Sequence, residues 1–256
     1  MAQEPRVQTQ IQELDAQGTH YRQLNAQLRA AVQATPAPRV IIRRVCGQRY
    51  IGTGLRQPAH IEIHGTPGND LGAFMDGPTL TVFGNAQDAS GNTLNSGEIV
   101  IHGRAGDITG YSMRGGRVFV RDDVGYRAGI HMKEYGERRP TLVIGGTAQP
   151  FLGEYMGGGV ILVLGLTLGS GARHSTSYIG TGMHGGIIYL RGQVEPWQLG
   201  CEVGRAELDD ADWRYVRTLV NQYTAHFGGD PQTILEGPFC KLFPLYLRPY
   251  GNLYAY

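Results

Sequence analysis

Lysine is almost missing from this chain: arginine supplies 21 of its 23 basic residues. Charge of either sign is scarce, at 18% of residues with a net of +1. A broad electrostatic attraction to nucleic acid or to an anionic membrane is therefore not expected. Cysteine is scarce too. Cys46, Cys201 and Cys240 are odd in number and far apart, so they give no C-x-x-C pair, no zinc spacing and no disulfide framework. The longest apolar run, VILVLGL at 160–166, is far too short to cross a bilayer. The polar N-terminus carries no signal-peptide pattern. These gaps fit a protein of the reducing cytoplasm. What the chain does not lack is glycine: 39 of 256 residues, about twice the usual ~7%.

The glycines are placed at a period. The tetrad Gly-x-x-Met/Leu starts at Gly52, Gly72, Gly91, Gly110, Gly129, Gly153 and Gly180, and ends on Leu55, Met75, Leu94, Met113, Met132, Met156 and Met183. The steps are 20, 19, 19, 19, 24 and 27 residues. A short β-rich run follows each tetrad: HIEIH at 60–64, LTVF at 80–83, EIVIH at 98–102, RVFVR at 117–121, TLVI at 141–144, VILVL at 160–164 and IIYLR at 187–191. A period near twenty with one strand per repeat predicts a solenoid.

Each strand is followed by a glycine or aspartate: Gly65, Gly84, Gly103, Asp122, Gly145, Gly165 and Gly192. Two residues before that mark stand Ile63, Val82, Ile101, Val120, Val143, Val163 and Leu190. Four before it stand Ile61, Leu80, Ile99, Val118, Thr141, Ile161 and Ile188. Alternate residues share a face, so both columns are expected inside, with the tetrad methionines and leucines as a third. The expected outer face runs Glu62, Thr81, Val100, Phe119, Leu142, Leu162, Tyr189 beside His64, Phe83, His102, Arg121, Ile144, Leu164, Arg191. It turns apolar in the later coils, and a strip from Val100 to Tyr189 needs a cover.

Residues 8–34 read as an amphipathic helix weakened at Gly18, and VIIRRV at 40–45 as a first strand. Residues 206–227 read as a second helix, with Leu208, Trp213, Val216, Leu219, Val220 and Tyr223 on one stripe. That helix is favoured over a partner as the cover. The Pro- and aromatic-rich end is expected to lie extended on a surface. The organisation is then residues 1–47 as N-terminal helix and strand, 48–192 as repeat domain, and 193–256 as C-terminal helix and tail.

Few constellations suggest chemistry. Gly180 to Gly185 matches G-x-G-x-x-G, but a strand follows it where a phosphate loop needs a helix. His60, Glu62 and His64 share a strand face, yet alternate residues are too far apart for one ion. His64 and His102 should sit two coils apart with Phe83 between them. Asp107, Asp122, Asp123 and Glu134 could do acid–base work, but turn chemistry explains them better. The segment 166–180 falls in the longest step and could protrude as a functional loop.

Three strings are more specific: GNAQDASGNTLNSGEIVIHGRAGD, GYSMRGGRVFVRDDVGYRAGIHM and GTAQPFLGEYMGGGVILVLG. They resemble the GXGXG repeat domain at the C-terminus of the glutamate synthase large subunit, which also occurs as a separate polypeptide. A related repeat forms one of the subunits of formylmethanofuran dehydrogenase and of the formyltransferase/hydrolase complex. The resemblance covers about residues 45–192, and GPFCKLFPLYLRPYGNLYAY looks like the stand-alone glutamate-synthase form. It implies a right-handed parallel β-helix, in agreement with the about seven coils expected from the repeat, and a non-catalytic role. The family's cysteine nucleophile, FMN and iron–sulfur chemistry belong to other domains, and no catalytic residue carries over. The expected partners are a glutaminase-type amidotransferase and an FMN-dependent synthase. No cofactor and no metal are expected on this chain. The residues named from the repeat itself are structural: Gly52, Gly72, Gly91, Gly110, Gly129, Gly153, Gly180, Met75, Met113, Met132, Met156 and Met183. The alternatives are a scaffold in a formyl-transfer complex, or an independent enzyme with its site in the 166–180 loop.

Overall fold

The computed structural model describes residues 11–169 and 171–246. The twenty-residue period appears there as one ladder. Nine strands pair in parallel in chain order: β1 Ile11–Asp15, β2 Arg39–Cys46, β3 His60–Thr66, β4 Asp76–Phe83, β5 Ser96–Ile101, β6 Arg117–Val120, β7 Thr141–Ile144, β8 Gly157–Val163 and β9 Gly185–Arg191. They form a β-solenoid of about six turns, against the about seven coils expected, and otherwise the all-β parallel β-helix expected from the repeat. Stacking puts like on like. Ile61, Leu80, Ile99, Val118, Leu142, Ile161 and Ile188 stand in register. So do Ile63, Val82, Ile101, Val120, Ile144, Val163 and Leu190, and every member of both columns is at most 1% exposed.

One coil departs from the expected assignment. Leu142 and Ile144, expected outside, point into the solenoid core. Val143, expected inside, packs on the outer face with Phe119, Leu162 and Tyr189. Thr141, the single polar member of the expected inner columns, is on that outer face too. A slip of one residue exchanges the two faces of a strand. The expected columns count back from Gly145, whereas Gly146 is the residue in register with Asp122 and Gly165.

Both ends of the solenoid are sealed. Helix α1, Tyr21–Ala34, lays Leu24, Leu28, Ala31 and Val32 on the first coils. The expected helix over 8–34 is thus shorter. Residues 8–10 lie outside the described part, and Ile11–Asp15 forms β1 instead. The open edge of β2 explains this: its peptide groups need partners, and β1 supplies them. Gly18, at φ +67°, turns the chain between strand and helix, and His20 caps the helix. At the far end β10, Val203–Ala206, and β11, Phe239–Pro244, add antiparallel strands beyond β9 in the order β9-β11-β10. The described part of the aromatic tail is therefore extended, as expected, and its residues 247–256 lie outside the described part.

Helix α2, Asp210–Phe227, covers the apolar strip. It starts later than expected because 203–206 pair in the sheet. Asp209 and Asp212 form a capping box at its start, and Gly228 at φ +82° ends it. Val216, Leu219, Val220 and Tyr223 bury themselves against Phe119, Val143, Val160, Leu162, Leu164 and Tyr189, with Ile234 of the short helix α3, Pro231–Leu235. Eighteen residues reach ~27 Å, five to six strand spacings of ~4.8 Å. The polar contacts mark that span. Tyr189 donates to Asp212 at 2.6 Å on β9, and His226 meets Glu98 at 3.4 Å on β5. An isolated helix of this length is marginal in water, so strip and helix stabilise each other.

Candidate functional site

With core and outer strip closed, the coil turns carry the exposed chemistry. At each turn the amide of the tetrad's fourth residue donates to the carbonyl of its glycine, at 2.8–3.3 Å. From Gly72 to Gly180 each tetrad glycine also donates at 2.8 Å to the coil before it. Gly52, Gly72, Gly91, Gly110, Gly129, Gly153 and Gly180 all have φ between +64° and +77°. Met75, Met113, Met132, Met156 and Met183 are buried in the core.

Left-handed backbone extends beyond these glycines. Two residues before them stand Tyr50, Asp70, Ala89, Ile108, Arg127, Phe151 and Tyr178; two after stand Phe74, Thr93, Ser112, His131 and Tyr155, all at φ +49° to +69°. Gly54 and Gly182 complete the second row. Alternate residues of the turn are thus left-handed, a path that G-x-G-x-G follows without strain. A side chain there costs about 1–2 kcal/mol. Amide bonds of 2.7–3.1 Å to the next coil, from Tyr50 through Tyr155, hold the path. The result is a ridge of stacked side chains. Phe151 lies on Tyr178 at 4.9 Å and 9°, His131 on Tyr155 at 5.4 Å and 11°, and the Arg127 guanidinium on Phe151 at 4.6 Å. Tyr50, Phe74, Tyr126, Tyr155 and Tyr178 remain 38–55% exposed.

Beside the ridge runs the row that follows each tetrad: Arg56, Asp76, Asn95, Arg114, Lys133, Gly157, His184. From Asp76 onward each of these amides bonds one coil back, to the carbonyl of the preceding tetrad's last residue. The row is interrupted at Gly157. A Cβ on Gly157 would stand 2.8 Å from Nε2 of His184, so the imidazole leans into the gap. Around it opens a cleft of about 340 Å³, lined by Tyr111, Ser112, Arg114, His131, Met132, Lys133, Tyr155, Gly157 and His184. No carboxylate is among these described lining residues.

The candidates read from the sequence take structural places. His64, Phe83 and His102 form one stack at 4.8 and 5.0 Å, with Phe83 between the imidazoles as expected. Burial lowers the His102 pKa, with Arg121 and His226 adding to it. The carboxylates serve turns. Asp107 accepts from the Tyr126 amide at 2.8 Å, and Glu134 from the Gly159 amide at 3.0 Å. Asp122 pairs with Arg121. Burial pushes Asp123 up, but hydrogen bonds from Thr167 and Thr147 and the charge of Arg104 outweigh it, leaving its pKa below the ordinary value. Gly180 to Gly185 is a solenoid turn leading into β9. Among the described residues no cluster of His, Cys, Asp and Glu could hold a metal, and no helix is long and apolar enough to cross a membrane.

The described part of the 166–180 loop folds back over β9. His174 is buried, its Nε2 2.8 Å from the Arg191 carbonyl. Gln198 donates to the carbonyls of His174 and Thr176, and Arg173 pairs with Glu195. The loop is pinned to the solenoid rather than hinged from it. The row beside the ridge and its cleft were not singled out from the sequence. Aligning the residue after each tetrad would have shown Arg114, Lys133, Gly157 and His184 in one file.

Comparison with known proteins agrees with this architecture. The family model described as the GXGXG motif matches residues 22–244. A protein of Methanocaldococcus jannaschii, named "Uncharacterized protein MJ1350", is 45% identical over 252 residues, which cover 94% of this chain and 95% of that protein.

Proposed function

This chain belongs to the GXGXG motif family, and on that premise we propose that it is a non-catalytic structural subunit of a glutamate synthase-like complex. Its task is to hold a glutaminase component and an FMN- and iron–sulfur-bearing synthase in register, so that ammonia released at one site reaches the other. The observation that supports a scaffold most directly is the turn ridge. It presents stacked aromatic and arginine side chains on a strained, doubly hydrogen-bonded backbone. Aromatic and arginine anchors are what protein interfaces favour, and a rigid mount supplies the orientation that coupled reactions need. The likeness of residues 84–107, 110–132 and 146–165 to the glutamate synthase repeat domain, and of the string GPFCKLFPLYLRPYGNLYAY to its stand-alone form, supports this choice of complex.

The test is co-purification from the native host, with flavin and iron analysis of whatever accompanies the chain. Recovery of a flavin- and iron-bearing synthase with a glutaminase supports the proposal. Omitting the chain from a reconstituted complex should then lower glutamine-dependent glutamate formation while sparing the ammonia-dependent rate. Recovery of formyl-transfer subunits instead would move the scaffold to that complex. A chain that purifies alone and leaves both rates unchanged would refute it.

A further inference from the structure

We propose that the outer face of α1, with the solenoid turn at residues 49–53 beside it, is the docking surface for an acidic helix of a partner protein. The inference rests on the scaffold reading above and gives one partner its seat. Between Asp15 and Glu62 the sequence has seven arginines and no aspartate or glutamate. The acids at the borders of that stretch are taken: Glu13 pairs with Arg43, Asp15 with Arg44 and Glu62 with Arg39. Arg22, Arg29 and Arg49 are held by neutral groups instead. Nε of Arg22 donates to the Tyr21 hydroxyl at 3.2 Å, and Arg29 donates to the Thr53 carbonyl at 2.8 Å. The Arg49 guanidinium lies 5.1 Å from the ring centre of Tyr21 and 6.0 Å from that of Tyr50. All three arginines are exposed, and among the described residues no carboxylate pairs with them. Residues 1–10 and 247–256 carry a single acid, Glu4, against Arg6 and Arg248, which is too few to neutralise three guanidiniums.

The charge sits where the helix itself is least served by it. Arg22 lies in the first turn of α1, at the positive end of the helix dipole, and no acid stands in that turn. Helix α2 shows the ordinary arrangement, with Asp210 and Asp212 in its first turn. A local rule broken without gain to the fold points to a use outside it. Arginines interleaved with tyrosines suit that use, because protein interfaces are enriched in both.

The spacing names the occupant. Arg22 and Arg29 are two helical turns apart, which puts them on one face at ~10.5 Å. Arg49 joins the same flank, since Asn25 of α1 donates to the Arg49 carbonyl at 2.9 Å. The rest of the exposed face of α1 is glutamine and alanine, uncharged and low enough for a second helix to approach to the usual ~8–10 Å. A helix with carboxylates every seven residues repeats the interval of the arginines, and each carboxylate matches a guanidinium fork. A nucleic-acid backbone fits less well. Asp70 follows Tyr50 in the ridge, and its amide bonds to the carbonyl of Asp88 on the next coil, so a continuous phosphate chain would run from the arginines onto carboxylates. The net charge of +1 adds no wider field to hold it.

The experiment titrates the full chain into two fluorescent peptides of about 20 residues, long enough for an alanine-rich helix. Both contain alanine, glutamine and the same number of glutamates. In one the glutamates stand seven residues apart; in the other they are scattered around the helix. By anisotropy the spaced peptide should bind several-fold more tightly. Arg22→Gln and Arg29→Gln should each weaken it by about fivefold, while Arg217→Gln on α2 leaves it unchanged. Arg49→Lys keeps the charge and loses the planar fork, so it should fall between wild type and Arg49→Gln. Equal binding of the two peptides, or equal weakening by Arg217→Gln and Arg22→Gln, would overturn the proposal. So would tighter binding of a single-stranded oligonucleotide of matched charge, which would assign the patch to nucleic acid. Co-purification separates this inference from the scaffold reading. Partners held by wild type and lost from the Arg22→Gln, Arg29→Gln double variant support both. Partners held by the double variant, with no discrimination between the peptides, remove this surface and leave the scaffold. A wild-type chain that purifies alone yet discriminates between the peptides removes the scaffold reading and leaves the surface.

Discussion

A Cβ on Gly145 would stand 2.0 Å from the hydroxyl oxygen of Tyr223, and that hydroxyl donates to the Arg121 carbonyl at 2.8 Å. Gly145 is therefore the opening through which α2 reaches the sheet. Neighbouring coils carry side chains at the equivalent outward place, among them Arg121 and Leu164. The glycine belongs to the helix docking as much as to the coil.

Two substitutions test this docking. Gly145→Ala collides with Tyr223 and with the backbone oxygen of Arg121, 2.1 Å away, and should destabilise by roughly 2–4 kcal/mol. Lifting α2 would also expose Phe119 and Leu162, so binding of a hydrophobic dye should rise. Tyr223→Phe keeps the ring and loses one hydrogen bond, about 1 kcal/mol. Thermal melts in which the two variants shift equally would contradict the close contact at Gly145.

Most of the solenoid was legible because stacking repeats the same demand on every coil. The tetrads and the inner columns recur where their physics recurs. The failure at β7 has the same root. Gly145 and Gly146 stand side by side, one emptied for Tyr223 and the other aligned with Asp122, and the periodicity does not say which to count from. Thr141 was the clue, being the one polar residue in an otherwise apolar column. The cover by α2 was foreseeable from the apolar strip, since an amphipathic stripe of matching length lay in the same chain. The cleft was harder to see. It is made by an absence, Gly157, in a chain where glycine is common for other reasons.

The register of β7 has its own test. Thr141 lies on the outer face, its hydroxyl 3.3 Å from that of Tyr215 on α2. Thr141→Val should cost about 1 kcal/mol through the lost bond. Were Thr141 inside the solenoid among isoleucines, the same change would remove a buried hydroxyl and stabilise. The sign of the melting shift decides the matter.

Gly54 and Gly129 separate backbone strain from crowding. Both are left-handed, at φ +65° and +71°. A Cβ on Gly54 meets nothing within 4 Å, whereas on Gly129 it would lie 2.4 Å from Cδ1 of Ile161. Gly54→Ala should cost only the conformational term, about 1–2 kcal/mol. Gly129→Ala should add an overpacking cost of about 1–3 kcal/mol. Equal denaturant midpoints for the two variants would show that the tetrad glycines are required for their backbone alone.

His174 should make the stability depend on pH. Burial lowers its pKa, and the bond from its ring to the Arg191 carbonyl only partly offsets that. Nδ1 is buried without a partner, so a proton added there would have no acceptor. The folded chain therefore holds the neutral ring, while the unfolded chain titrates near 6.5. The contribution is fully present above ~6.5 and is lost as pH falls toward the folded value, with a slope of at most ~1.4 kcal/mol per pH unit. The lowered carboxylates, Asp123 and Asp212, act in a separate window below the ordinary aspartate value. His174→Gln retains a donor for the Arg191 carbonyl and removes the titration. Denaturant unfolding between pH 7.5 and pH 5 should show wild type losing stability faster than the variant over that range. Parallel curves would mean that the imidazole accepts its proton in the folded state at no cost, and that the pocket around His174 is open to water.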